Sequence, residues 1–236
     1  MTIRFFFFLL ILMPYCAFAG ITDTKVEKVL ANETFSPHAI QISSGSLDVR
    51  GLYHLAVAVD SRNAVFLYFI GEAADGTAVV LDRVEVDSAN SRASWSAEIK
   101  KKRVFISVHS SGGCCSHFGM KYQLGLNDKK KLVLIGYEVM DQGSNDGQLF
   151  REDKLKLNLI TGDVIRSHAE SKKIRLRTEN AHFKPSWRMF NLLPPVKAKK
   201  RHFRVQVDKQ WSLQNLSAYD EEFSNWRSST IYGVNK

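Results

Sequence analysis

The chain has 236 residues, of which 44% are hydrophobic and 24% charged, a balance that excludes a disordered polar chain and supports a packed core. Thirty-three lysines and arginines against 24 acids give a net charge of +9, which favours anionic partners. No nucleophile elbow, zinc-protease helix, P-loop or dinucleotide fingerprint occurs, so the enzyme classes built on them are excluded and no catalytic residue is assigned.

The N-terminus reads as a cleavable export signal over residues 1–19. Arg4 supplies the positive end, Phe5 to Met13 the apolar stretch, and Ala17-Phe18-Ala19 the small residues read by a signal peptidase. An uncharged run reaching Ile21 also approaches the lower limit of a membrane anchor, but Pro14 and the small-residue site favour cleavage. The expected location is therefore the periplasm or the exterior. No later apolar run reaches spanning length, so no transmembrane segment is expected after cleavage.

Residues 20–180 read as one antiparallel β domain. Leu52 to Val59 and Ala64 to Ile70 flank a polar linker, Asp60 to Asn63, suited to a hairpin. Asp75-Gly76 turns the chain into Thr77 to Val86. Trp95, Ala97 and Ile99 alternate with polar residues, and the basic run Lys100 to Arg103 separates them from Val104, Ile106 and Val108. Met120 to Leu126, Leu132 to Val139, Leu155 to Leu159 and Val164-Ile165 repeat the pattern, and Ile174 with Leu176 opens another short strand. Period-two alternation with short polar connections predicts a mainly β fold, an antiparallel meander closed as a barrel or folded as a sandwich.

Residues 181–236 read as a basic, irregular extension. Pro185 and Pro194-Pro195 break any periodic element, Phe203, Val205 and Val207 predict one strand, and Leu216, Tyr219, Phe223 and Trp226 fall on one face of a short C-terminal helix. Ser217, followed by Asp220, Glu221 and Glu222, offers its N-cap.

Two local features stand out. Gly112-Gly113-Cys114-Cys115, followed by His117, forms a candidate binding loop. Once the leader and its Cys16 are gone, Cys114 and Cys115 are the last two cysteines. In an oxidising compartment they can form a vicinal disulfide, pair with another chain or stay free; the glycines favour the vicinal bridge, which would stiffen an apolar loop tip. His109 and His117 beside them bring zinc to mind, but adjacent thiolates do not suit one ion, and no metal or cofactor is expected. The second feature is the span 166–204, with twelve bases and two acids. Lys172, Lys173, Arg175, Arg177, Lys197, Lys199, Lys200, Arg201 and Arg204 make a candidate basic patch for anionic envelope polymers. Export argues against nucleic acid.

Leu134-Ile135-Gly136-Tyr137-Glu138, followed by Leu157-Asn158-Leu159-Ile160-Thr161-Gly162-Asp163-Val164-Ile165, resembles a strand–turn–strand signature of small exported bacterial proteins, among them the periplasmic carbapenem intrinsic-resistance proteins. The resemblance covers about 35 residues. It implies a glycine-tyrosine pair ending one strand, an N-x-x-T-G turn closing a hairpin, and no catalytic residue. The expected function is a non-enzymatic periplasmic binding or protective protein, such as an immunity or antibiotic-tolerance factor, with an unidentified protein or small molecule as partner. The alternatives are a surface-associated envelope protein held to anionic polymers and a hydrolase with dispersed catalytic residues.

Overall fold

Among the described residues, eleven strands fold into two antiparallel sheets. The structure is a computed structural model that describes residues 24–49, 51–73, 75–88, 93–111, 116–145, 149–170, 198–217 and 219–232. The expected leader, the Gly112–Cys115 loop tip and the basic residues Lys172, Lys173, Arg175, Arg177 and Lys197 lie outside these residues, as does the strand expected at Ile174.

The first sheet contains β1 (His38–Ser46), β2 (Leu52–Val59), β3 (Ala64–Glu72) and β4 (Ala78–Ser88), in chain order. The second contains β5 (Ala93–Lys100), β6 (Arg103–Ser111), β7 (Ser116–Leu126), β8 (Leu132–Asn145), β9 (Leu149–Asn158), β10 (Asp163–Glu170) and β11 (Lys199–Arg204), again in order. The sheets stack as a sandwich, and no barrel closes. Side chains alternate across each sheet, and strands β2 to β10 each place apolar residues in the shared core. That core holds Leu55, Leu67 and Phe69 from the first sheet and Ile106, Leu124, Tyr137 and Leu157 from the second.

The sheets meet where β1 runs beside β5. Gln41 Oε1 accepts from the Ala97 amide at 3.0 Å and Ser43 Oγ from the Ile99 amide at 2.8 Å. Side chains of β1 thus satisfy the exposed backbone edge of β5. Gly45 permits the close approach, because a Cβ there would stand 2.7 Å from Ile99 Cγ2.

The sequence reading did not anticipate a helix, α1 (Thr24–Ala31), over the outer face of the first sheet. Val26 and Leu30, one helical turn apart, pack on Ala56, Ala58, Tyr68 and Ile70, and Lys25 pairs with Glu72 at 2.8 Å. Eight residues with two buried positions give too short a pattern to register as a helix in sequence.

Beyond β11 the chain closes the open side of the sandwich. A 3₁₀ turn (Leu213–Leu216), helix α2 (Glu222–Arg227) and a π turn (Ser228–Tyr232) bring Trp211, Leu213, Leu216, Phe223 and Ile231 into the same core. Trp211 meets Phe223 at 5.2 Å and Trp226 at 5.5 Å, and Phe223 stands edge-on to Tyr137 at 5.8 Å. The short C-terminal helix is therefore present, but it starts later than the apolar spacing implied. Asp220 accepts from the Glu222 amide at 2.8 Å ahead of it, whereas Ser217 accepts from Tyr219 in a separate turn. Tyr219, placed by spacing on the buried face, is 77% exposed.

Candidate functional site

The core face of the seven-stranded sheet continues past the core. On β9 the residues of one parity run Leu157, Leu155, Asp153, Arg151; on β10 they run Val164, Arg166, His168, Glu170; on β11, Phe203, Arg201, Lys199. Leu157, Leu155 and Val164 are buried. One step further along each strand the same face turns polar. Arg151, Asp153, Arg166, His168, Lys199 and Arg201 line a cleft of about 490 Å³.

Register fixes who faces whom. Arg166 sits directly opposite Arg201, and His168 opposite Lys199 on one side and Asp153 on the other. His168 Nδ1 is 2.7 Å from Asp153 Oδ1, and Nε2 is 3.1 Å from Glu170 Oε1. A carboxylate on each ring nitrogen favours the cationic form of the imidazole. The hydrogen bond to Asp153 raises its pKa above 6.5, partial desolvation opposes this, and Glu170 adds to the rise. Burial pushes the Asp153 carboxyl up, but hydrogen bonds from His168 and Arg151 outweigh it and hold the group below 3.8. Among the described residues, Lys199 and Arg201 have no carboxylate partner. Like charges directly opposite on neighbouring strands repel. Lys199 and Arg201 therefore bring to the cleft positive charge that no described carboxylate pairs, and an anion seated against β11 would answer it.

The sequence-predicted basic patch divides here. Lys199 and Arg201 face the cleft, while Lys200 and Arg204 lie on the opposite face of β11, where Arg204 Nε donates to the Thr161 carbonyl at 2.6 Å. His117, from the predicted binding loop, lies on β7 opposite Ser111. It shares a face with Gly119 and Lys121, whereas Phe118 and Tyr122 share the core face, so the structure does not bring His117 to the cleft. Arg151, Asp153 and His168 were not singled out from sequence. Their signal was the change from apolar to charged residues at fixed parity along β9 and β10, which becomes a site only once three strands are in register.

A second polar chain crosses the first sheet. Ser44 Oγ is 2.8 Å from His54 Nδ1, and His54 Nε2 is 3.9 Å from Glu72 Oε1. The second separation exceeds hydrogen-bond length, and Glu72 is engaged by Lys25 of α1. The arrangement ties the helix to the sheet instead of relaying a proton to Ser44.

Among the described residues, no group of three or more His, Cys, Asp or Glu could hold a metal ion, and no helix is long and apolar enough to cross a membrane. Comparison with protein-family models, curated proteins and solved structures returns no match.

Proposed function

We propose that the protein is a binding protein of the cell envelope that holds an anionic group in the β9–β10–β11 cleft, with a protective or tolerance role exerted by binding and not by catalysis. One observation carries the reading: the cross-strand pairs Arg166–Arg201 and His168–Lys199 put four cationic groups against one another on a single recessed face. The described lining offers cations, one carboxylate and an imidazole held between two carboxylates, with no serine, threonine or cysteine as a nucleophile. The export signal read from residues 1–19 supports a periplasmic setting, where phosphoryl, sulfate and carboxylate groups of envelope components are the available anions.

Titration calorimetry with pyrophosphate and with inorganic phosphate tests this. Wild type is expected to bind in a salt-sensitive manner, and Arg166→Gln/Arg201→Gln to bind on the order of tenfold or more weakly, since each charged hydrogen bond contributes about 1.5–3 kcal/mol. Far-UV circular dichroism and a urea midpoint on the variant separate lost binding from lost folding. Absence of anion binding by wild type, or equal binding by the variant, overturns the reading.

Among the described residues β11 is an edge strand, and this favours a second reading. Lys199, Lys200, Arg201 and Arg204 are exposed on both faces of this strand, an arrangement suited to an extended anionic polymer lying along it. In that case Lys200→Gln/Arg204→Gln would weaken retention on envelope fractions as much as the cleft variant does.

A further inference from the structure

The hairpins at the other end of the seven-stranded sheet present a different surface. The β5–β6 turn carries Lys100, Lys101, Lys102 and Arg103, and the neighbouring β7–β8 turn carries Lys129, Lys130 and Lys131. Glu98, Asp48 and Asp128 are the nearby acids, three against seven bases. Lys102, Arg103 and Lys130 line one shallow depression together with Val49 and Ile160. Those two apolar side chains stand out from it, 90% and 70% exposed.

Backbone conformation shows that the lysines occupy costly positions. Lys100 pairs with Arg103, so Lys101 and Lys102 form a two-residue turn, and both have positive φ, 51° and 59°. That is a type I′ turn, where Asn-Gly is the favoured pair. In the next hairpin Lys130, at φ 59°, takes the left-handed position that closes a three-residue loop and is normally glycine. Three lysines thus hold conformations that a side chain with a Cβ resists, all at one end of one sheet. Strain kept at an exposed tip, where the cheaper residues carry no charge, points to a use for the charge.

From this juxtaposition we infer that the lysine-bearing hairpin end docks on an anionic phospholipid bilayer, with Val49 and Ile160 entering the headgroup layer between the basic turns. Charge complementarity selects the anionic surface. The two protruding apolar side chains favour a bilayer over a soluble polyanion, which would leave them in water. The site is distinct from the anion cleft. His168 lies six positions along the chain from Gly162 in the β9–β10 turn, about 20 Å of strand, so docking would hold the cleft away from the membrane.

Co-sedimentation with vesicles of phosphatidylcholine alone, and of phosphatidylcholine mixed with phosphatidylglycerol, tests the inference. Wild type and variants share one N-terminus, so any leader contribution is common to all. Wild type should bind the mixed vesicles and not the neutral ones. Lys101→Asn/Lys102→Gly/Lys130→Gly installs the residues these turns prefer. It should melt at a higher temperature than wild type yet bind on the order of a hundredfold more weakly, at about fivefold per lysine. Val49→Ser/Ile160→Ser should lose about tenfold or more through the apolar area alone. Failure of wild type to bind the mixed vesicles, or undiminished binding by the triple lysine variant, overturns the proposal. If Val49→Ser/Ile160→Ser binds like wild type, the tip is a polyanion site and not a bilayer site.

Discussion

His168 and Asp153 depend on each other through one 2.7 Å contact, and their titrations move in opposite directions. Because the His168 pKa is raised, the stability it contributes is complete below its unfolded value of 6.5 and is lost as pH rises through the higher folded value. Because the Asp153 pKa is lowered, its contribution is present above 3.8 and is lost as pH falls through the lower folded value. Between those limits the pair is intact. The thermal midpoint is therefore expected to sag as pH rises above 6.5 and through the raised His168 value in wild type, and to lose that sag in His168→Asn. Pyrophosphate affinity should decline over the same interval, and an NMR titration of the His168 ring reads the midpoint directly. A wild-type ring titrating below 6.5 would contradict the geometry. Both groups are partly exposed, so the effect should shrink with added salt.

At the scale of elements, the β9–β10 hairpin aligns the cleft, and its turn is tightly determined. Asn158 Oδ1 accepts from the amides of Ile160 and Thr161 at 2.9 and 3.1 Å, and Gly162 takes φ +76°. A Cβ on Gly162 would stand 2.1 Å from the Val205 carbonyl oxygen, while the Val205 amide donates to the Gly162 carbonyl at 2.9 Å. Gly162→Ala therefore has to displace the chain leaving β11 as well as adopt a left-handed backbone. We expect a loss of at least about 2 kcal/mol in urea unfolding, with pyrophosphate binding impaired beyond what the stability loss explains. This turn was legible in the sequence, as were the β2–β3 and β3–β4 hairpins, because alternation and turn dipeptides are local signals, whereas β1, with its apolar residues on the outer face, was not. The Gly136-Tyr137 pair falls inside β8 and not at its end, since Tyr137 pairs with Leu157 well before the strand stops. The last strand was misplaced for a physical reason. Val205 and Val207 carry the apolar alternation, but β11 is formed by Lys199–Arg204, whose inward residues Lys199 and Arg201 face the cleft and so need not be apolar.

At the scale of the whole molecule, two sheets leave an open side that, among the described residues, those after β11 close. Trp211 is 2% exposed, contacts Phe223 and Trp226, and gives its carbonyl to the Leu134 amide at 2.8 Å. Arg227 hydrogen-bonds the Tyr137 hydroxyl over the same cluster, and burial pushes the neighbouring Tyr122 phenol up to about 12. Trp211→Ala is expected to cost about 3–5 kcal/mol, measurable by urea unfolding followed through the remaining tryptophans. A loss under about 1 kcal/mol would mean that the cover is not integral to the core. Sequence reading separated this segment as an extension at residue 180 because prolines and charge interrupt it, while its contribution to the core rests on contacts more than seventy residues away along the chain, such as Trp211 with Leu134. The cleft was illegible for the same reason, as Arg166 and Arg201 become neighbours only through strand pairing.

The position of that cover in the chain has a kinetic consequence. Both sheets are synthesised before residues 211–231, so a chain emerging N-terminus first shows the apolar faces around Tyr137 and Leu132 until those residues arrive. Hairpin pairing can proceed strand by strand, but burial is completed in one late step by the most distant contacts. A chain of this design keeps that core open to solvent until residues 211–231 are available to cover it.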